Sequence, residues 1–156
     1  MANNQNYGNQ NSRGGGFKRW DDAPKALPDG YLSGGYFLPG KAGEKPVMKK
    51  EYIIGYPGQI AAALTERDRN LNKSSQLRKY YDYCIRIRDL MHMGYTFPEV
   101  ESEFCRVSNF VAYAKSRNLV TQVFVDFIDR NIAAIHNGDD FSAFLKHFEA
   151  VVAHLK

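Results

Sequence analysis

The stretch FSAFLKHFEAVVAHLK, residues 141–156, places its apolar side chains at steps of mostly three and four residues. These positions are Phe141, Phe144, Leu145, Phe148, Val152 and Leu155. Because an α-helix turns once every ~3.6 residues, this spacing gathers the six side chains on one side of a helix. A helix with such an apolar stripe gains most of its stability by burying the stripe against other elements. The segment therefore predicts the closing helix of a packed helical domain.

Four earlier segments carry the same period. A short helix is predicted over residues 57–64, and longer helices are predicted from about 72 to 93, from about 96 to 117 and from about 120 to 135. No segment alternates apolar and polar side chains for long enough to predict a sheet. Short connections between helices make consecutive helices antiparallel neighbours. We therefore predict an all-α fold, a compact bundle of four to five helices.

Polar residues and glycines mark where the helices begin and end. Thr96 and Glu99 have the spacing of a capping box, in which each side chain bonds the backbone N–H of the other residue. In the Asn-Gly pair that ends at Gly138, the glycine is expected to adopt a left-handed conformation that ends the fourth helix. Asp139 or Asp140 is then expected to cap the last helix.

The first fifty residues differ in composition from the rest of the chain. Residues 1–50 are rich in Asn, Gln, Gly, Pro and Lys, which bury too little apolar area to offset the entropy of an ordered chain. We predict a flexible Asn/Gly-rich basic tail over residues 1–50 and a helical domain over residues 51–156. The stretch from Arg13 to Trp20 mixes cations with aromatic rings, as flexible RNA-binding segments do. A solubilising or tethering role explains that stretch equally well.

The sequence also indicates a compartment. The chain has no run of about 20 apolar residues, and its first residues lack the basic start and apolar stretch of a secretory signal. We therefore expect a cytoplasmic protein with no membrane partner. Cys84 and Cys105 lack the paired spacing of metal or redox sites and fall on apolar helix faces, so we expect two buried thiols.

Few reactive side chains occur close together in the sequence. The run from His136 to Asp140 offers an imidazole and two carboxylates, the ligand types of a metal-dependent phosphodiesterase. A helix end followed by a helix cap explains these residues better, because no second ligand cluster is present. His147 and His154 are seven residues apart and share a helix face, where we expect surface or interface residues. We predict no catalytic residue, no metal site and no cofactor, and hence a protein that is not an enzyme.

Charge is unevenly distributed along the chain. The formal net charge is +4, and residues 1–50 contain eight basic and four acidic residues, so the whole excess lies there. In the neutral remainder, residues 67–88 contain seven basic and two acidic residues, whereas residues 89–103 contain four acidic residues and no Lys or Arg. Such segregation favours an anionic partner on one surface.

Lysines and arginines recur on the second predicted helix and at the end of the third. The candidate contacts to phosphate groups are Lys73, Arg78, Lys79, Arg86, Lys115 and Arg117. Lys79 and Arg86 are seven residues apart and so share a face away from the apolar stripe. Phosphates suit such a face, because Lys and Arg neutralise them and a helix N-terminus adds a partial positive charge. An ordinary solvated surface with Asp82 among its ion pairs explains the helix start as well, and charge complementing the helix C-terminus explains Lys115 and Arg117.

Three stretches resemble motifs of one family, in the same order along the chain. Leu71-Asn-Lys-Ser-Ser-Gln-Leu-Arg-Lys79 resembles an "L-T-x-S-x-[IL]-R" helix start, and Val111-Ala-Tyr-Ala-Lys-Ser-Arg117 resembles a "Y-x-A-G-R" helix end. Residues 141–156 resemble a closing helix "F-x-x-F-x-x-[YF]-x-E-A-[IVL]-V-A-Y-x-K". The family is the small (second) Csm subunit of the type III-A CRISPR-Cas interference complex. Ser116 stands where the family has Gly, and His154 stands where it has an aromatic residue.

The resemblance implies a non-catalytic helical subunit that stacks along a filament carrying the guide RNA. It implies contacts to the target RNA, to the backbone and large Csm subunits and to copies of itself, in antiviral defence. By motif, Lys73, Arg78 and Lys79 match the basic helix start, while Lys115 and Arg117 match the basic helix end. These residues are expected at RNA phosphates, although Arg117 fits an internal salt bridge equally well. The competing interpretation is a small helical adaptor that binds another protein and no RNA.

Overall fold

The computed structural model describes residues 25–156 and contains five α-helices. They are α1 (Tyr56–Leu64), α2 (Ser74–His92), α3 (Phe97–Ser116), α4 (Gln122–Ala134) and α5 (Gly138–His154), preceded by a 3-10 turn at Lys50–Tyr52. Within residues 25–156, extended backbone pairs only in an isolated antiparallel bridge between Phe37 and Met48. The predicted all-α bundle is confirmed, and the helix ends lie within about two residues of the predicted ones.

The core forms around α5, which packs against both α1 and α2, while α3 packs against α2 and α4. Its largest apolar side chains include Phe104, Phe124, Phe127, Phe141, Phe144 and Phe148, all fully buried. The ring of Phe148 has its centroid 5.2 Å from that of Phe127 and 5.6 Å from that of Phe144. Aromatic pairs at such separations stabilise a core beyond the burial of their area. The apolar stripe that predicted the closing helix is therefore the centre of the core.

A tight turn joins α2 to α3. Gly94 has a φ of +110°, a conformation that residues with a Cβ rarely adopt. The backbone N–H of Thr96 donates a hydrogen bond of 2.7 Å to Oε2 of Glu99, which is one half of the predicted capping box. The turn makes α2 and α3 antiparallel neighbours, and we call the pair the α2–α3 hairpin.

The boundary between α4 and α5 differs from the prediction. Gly138 is the first residue of α5 and has no positive φ, so the expected left-handed end of α4 is wrong. Asn137 is the N-cap, and its side-chain oxygen accepts a hydrogen bond of 2.8 Å from the backbone N–H of Asp140. Neither Asp139 nor Asp140 caps the helix, because the side chain of Asn137 already reaches this N–H. A Cβ at Gly138 would lie 3.2 Å from the Met91 methyl carbon, so the first turn of α5 packs closely against α2.

Residues 25–50 pack against the helices, and the prediction that they belong to a flexible tail is wrong. Tyr31 and Tyr36 are buried, and their hydroxyls reach side chains on α5 and α4. The segment contains fewer apolar residues than the helices, but the two large rings of Tyr31 and Tyr36 supply buried area. The folded unit therefore begins well before residue 51. The rest of the predicted tail, residues 1–24, lies outside the described residues.

His147 lies in a buried polar network, so the predicted surface or interface position is wrong. Its Nδ1 is 2.6 Å from the carbonyl oxygen of Tyr52, and since that oxygen only accepts, Nδ1 is the donor. Its Nε2 therefore accepts a hydrogen bond of 2.6 Å from the Tyr31 hydroxyl. Asn131 donates to the Tyr31 hydroxyl at 2.9 Å and accepts from the Tyr36 hydroxyl at 2.6 Å. Burial lowers the pKa of His147 to about 4, so the ring is neutral near pH 7.

Other reactive groups are scattered. Burial raises the pKa of the Cys84 thiol to about 12, and the prediction of a buried thiol is confirmed there, whereas Cys105 is only half-buried. His154 is exposed, as predicted. Across residues 25–156, no group of three or more His, Cys, Asp and Glu side chains could hold a metal ion. None of the helices in that range is long and apolar enough to cross a membrane.

Candidate nucleic-acid interface

Asn72 joins the beginning of α2 to the loop that follows α3. Its backbone N–H donates a hydrogen bond of 3.0 Å to the carbonyl of Leu119, and its side chain exchanges hydrogen bonds of 2.8 and 3.0 Å with Thr121. Asn72 is buried and has a φ of +50°, a left-handed conformation that Asn tolerates better than most residues. The junction therefore holds the first turn of α2 beside the last turn of α3. We call this part of the hairpin the Asn72 end.

Five of the six candidate phosphate contacts lie at or near the Asn72 end. They are Lys73, Arg78, Lys79, Lys115 and Arg117. Lys73 immediately precedes α2, and Arg117 immediately follows α3. Arg86 lies thirteen residues beyond Lys73, a rise of about 20 Å at ~1.5 Å per residue, so the structure does not bring it to this end.

The cations at the Asn72 end have few partners in the protein. The side chains of Lys73, Arg78 and Lys79 are exposed, and they form no ion pair or side-chain hydrogen bond with another residue of the range 25–156. Lys115 is half-buried and is likewise without such a contact in that range. Asp82, which the alternative interpretation expects among the ion pairs of this surface, forms none within the described part of the chain. Positive charge on the first turns of α2 is therefore not neutralised by described neighbours.

Arg117 packs on a tyrosine rather than pairing with a carboxylate. Its guanidinium carbon lies 5.7 Å from the centroid of the Tyr113 ring, and its Nη1 donates a hydrogen bond of 3.1 Å to the Tyr113 hydroxyl. The internal salt bridge considered for Arg117 is not observed among the described residues. Because Tyr113 is 64% exposed, the pair faces solvent.

More rings and cations lie along the seam between α2 and α3. The ring of Tyr83 on α2 meets the ring of Phe110 on α3 edge to face, with centroids 5.3 Å apart. The guanidinium carbon of Arg86 lies 5.6 Å from the centroid of Tyr83, and that of Arg106 lies 5.3 Å from the centroid of Phe110. A cation over a ring at such distances is worth ~0.5–1 kcal/mol at an exposed site. Both arginines are thus oriented by aromatic neighbours.

These residues form a continuous surface with Arg117 and Tyr113, which we call the arginine–aromatic ridge. Its members are Tyr83, Arg86, Arg106, Phe110, Tyr113 and Arg117. Three members lie on α3 and Arg117 immediately follows it; these four residues follow one another by four, three and four residues, which places them in one line. Arg86 and Arg117 were predicted as binding residues from the sequence, whereas the other four members of the ridge were not. The 4-3-4 spacing of Arg106, Phe110, Tyr113 and Arg117 outside the apolar stripe is a signal that could have found three of those other four members.

Charge changes sign along the α2–α3 hairpin. The Asn72 end is cationic, whereas the turn near Gly94 lies among the acidic residues Asp89, Glu99, Glu101 and Glu103. Because α2 ends and α3 begins at the same turn, the basic and acidic segments of the sequence lie at opposite ends of the α2–α3 hairpin. Glu103 pairs with Arg106 at 3.0 Å where the two regions meet. A polyanion is attracted to the Asn72 end and repelled from the turn.

A cleft of about 530 Å³ opens beside the Asn72 end. It lies between the end of α1 and the start of α2, and its lining includes Arg69, Lys73 and Lys156. Among the described residues that line it, Glu66 is the one with a carboxylate side chain, and it lies 3.2 Å from Nζ of Lys25. Arg69 and Lys156 thus extend the cationic surface beyond the residues identified from the sequence.

Comparison with known proteins gives one match. The family model described as Csm2 Type III-A matches residues 49–156. This range contains all five helices, the Asn72 end and the ridge, and it excludes the buried Tyr31 and Tyr36. No curated protein and no solved structure matches the chain.

Proposed function

The chain belongs to the Csm2 Type III-A family, which makes it a small subunit of a type III-A CRISPR complex, and from this premise we propose that it binds RNA through the sugar–phosphate backbone. The proposed ligand is the target RNA paired with the guide RNA. The contacts come from Lys73, Arg78, Lys79, Lys115 and Arg117 at the Asn72 end, with Arg86 further along α2. In this proposal the protein catalyses no reaction and acts by holding RNA and neighbouring subunits.

The cations at the start of α2 carry the proposal. Lys73, Arg78 and Lys79 are exposed and have no anionic partner among residues 25–156. Like charges held close together repel one another, and a phosphate backbone relieves that repulsion. Each Lys or Arg that neutralises a phosphate also releases counterions, which favours binding at moderate salt. The partial positive charge at the N-terminus of α2 acts in the same direction.

Contacts to the backbone suit a subunit that must accept any target. Phosphate contacts orient a nucleic acid and carry no base information, whereas pairing with the guide RNA supplies the sequence recognition. The proposed protein partners are the backbone and large Csm subunits and neighbouring copies of this chain. Ile54 and Met93, each 77% exposed, offer apolar points for such contacts on surfaces away from the Asn72 end.

Removing the cations at the start of α2 tests the proposal. Lys73→Ala, Arg78→Ala and Lys79→Ala are combined, and binding of complementary RNA by the assembled complex is measured over a range of salt concentrations. We expect weaker binding for every guide and matching target. The slope of log K against log[salt] should become shallower by about 0.7–0.9 per lost phosphate contact, or roughly two to three for three contacts.

The matched control removes three exposed lysines elsewhere. Lys41→Ala, Lys45→Ala and Lys146→Ala lower the net charge by the same amount but leave the Asn72 end intact. The control should keep a salt slope close to that of the wild type. Gel filtration establishes that both complexes assemble, since the same side chains could dock a protein neighbour. An intact complex with unchanged affinity and slope would contradict the proposal.

A further inference from the structure

On the basis of the proposed function, we infer that the arginine–aromatic ridge stacks against unpaired bases of single-stranded RNA. These contacts differ from the phosphate contacts at the Asn72 end, because they place the flat face of a base against an aromatic ring of the protein. The ridge reaches that end through Arg117, so unpaired nucleotides next to a paired stretch at the Asn72 end can lie on the ridge.

The rings of the ridge keep large exposed areas. Tyr113 is 64% exposed and Phe110 is 37% exposed, although each ring has a guanidinium group within 6 Å of its centroid. Unpaired bases stack on aromatic side chains and on guanidinium planes alike. A surface that alternates the two therefore offers a base several flat partners at once.

The length of the ridge suits more than one nucleotide. From Arg106 to Arg117 the helix rises by about 16 Å, and from Phe110 to Tyr113 by about 4.5 Å. The order along α3 is cation, ring, ring, cation. Arg117 has no carboxylate partner among residues 25–156 and can pair with a phosphate of the strand whose bases stack on the rings, whereas Arg106 is already paired with Glu103.

Stacking on this surface requires nucleotides that are not paired. Inside a duplex the flat faces of the bases are covered by their neighbours, whereas bases in single strands can be splayed out onto a protein. The Tyr83 hydroxyl donates to the backbone carbonyl of Glu103, whereas the Tyr113 hydroxyl accepts from Arg117 and keeps its own proton available to donate. Because every base has a flat face that can stack on a ring, the ridge should accept single-stranded RNA with little preference among bases.

Charge and ring chemistry together favour RNA over a protein segment. The ridge holds three arginines and three rings, and it contains no aliphatic residue that would form the centre of an apolar docking patch. An acidic protein segment would pair with the arginines, but its carboxylates would gain little from the ring faces. Binding that depends on the presence of bases therefore distinguishes single-stranded RNA from an acidic protein segment.

The experiment measures binding of the full chain to three labelled RNAs at low salt. They are a short oligouridine, an abasic ribose–phosphate strand of the same length and a fully paired RNA duplex. The wild type should bind the oligouridine at least about 5-fold more tightly than the abasic strand, the ratio expected from one stacked base. Phe110→Leu combined with Tyr113→Leu should abolish this preference and leave the salt slope unchanged, because no phosphate contact is lost.

Two further variants make the result specific. Tyr95→Leu removes an aromatic residue that is 52% exposed at the acidic turn, and it should keep the preference of the wild type. Tyr113→Leu alone changes the most exposed ring of the ridge and should reduce the preference even if the double variant proves unstable by circular dichroism.

Equal binding of the oligouridine and the abasic strand by the wild type would overturn the inference. The proposed function would stand in that case if Lys73→Ala, Arg78→Ala and Lys79→Ala still made the salt slope shallower. A wild type that binds none of the three RNAs would overturn both. A ridge variant that binds RNA normally but no longer enters the assembled complex would identify the ridge as a protein-docking surface, which also overturns the inference.

Discussion

Nδ1 of His147 on α5 donates a hydrogen bond of 2.6 Å to the backbone carbonyl of Tyr52, 95 residues earlier in the chain. The other ring nitrogen accepts from the Tyr31 hydroxyl, so the imidazole joins α5 to two separate points of the segment before α1. Protonation would leave the Nδ1 donor in place but would turn Nε2 into a second donor, so the contact with Tyr31 requires the neutral ring. The protonation of one buried histidine is therefore coupled to the packing of residues 31–52.

This coupling predicts that acid destabilises the protein. The pKa of His147 is lowered from its ordinary value of 6.5 to about 4 by burial, so between these values the unfolded chain binds the proton more readily. The free energy of unfolding should thus be highest above pH 6.5 and fall as the pH drops toward 4, by up to about 3 kcal/mol. Urea unfolding at a series of pH values measures this fall.

Two histidine variants isolate the effect from the titration of carboxylates. His147→Gln should be less stable at neutral pH but should lose part of the acid dependence, whereas His154→Gln, at an exposed position, should keep all of it. The same acid dependence in His147→Gln and the wild type would contradict the assignment to this ring.

Asn72 is expected to contribute strongly to stability. Its side chain donates to the Leu64 carbonyl as well as bonding Thr121, and Asn72→Ala should cost roughly 1–3 kcal/mol for the buried groups left unpaired. Alanine is further disfavoured by the φ of +50°, whereas Asn72→Gly is free of that strain. Chemical unfolding should therefore rank the wild type above Asn72→Gly and Asn72→Gly above Asn72→Ala by about 1 kcal/mol. Equal stability of the two variants would show that the backbone relaxes at this position.

Phe148→Ala should destabilise the domain by about 3–5 kcal/mol, because a fully buried ring leaves a cavity among other aromatic rings. Thermal or urea unfolding measures the loss. Tyr113→Ala, which removes a ring that is largely exposed, should change stability by less than about 0.5 kcal/mol. A Phe148→Ala protein that melts like the wild type would assign Phe148 to a surface for a neighbouring subunit.

The helices could be predicted because their signals are local. Apolar spacing located each helix, and the Thr96 to Glu99 pair located the start of α3 to within a residue. The burial of His147 could not be predicted from a single apolar stripe, because α5 is buried on two sides rather than one. Ala143, His147 and Val151 follow one another by four residues and form its second buried face. That spacing was readable in the sequence, but the predicted single stripe did not include it.

Long-range contacts explain why residues 25–50 were misjudged. Average composition shows only that the segment has few apolar residues. It does not show that the hydroxyls of Tyr31 and Tyr36 bond side chains about a hundred residues away, on α4 and α5. No local pattern encodes such pairs. The cationic candidates, in contrast, came from spacing and motif, and the structure groups most of them at the Asn72 end. Their contact with RNA stays a prediction until the salt dependence is measured.

The hydrogen bond from Tyr36 to Asn131 has a practical consequence for shortening the chain. A protein cut to the residues that the family model matches would start at residue 49 and would lack both Tyr31 and Tyr36. The side-chain carbonyl of Asn131 and the imidazole of His147 would then line a groove left by the two missing tyrosine rings. Water would enter beside α4 and α5, and the histidine would titrate closer to its ordinary value. The stretch that the family model matches is thus shorter than the stretch that folds as one body.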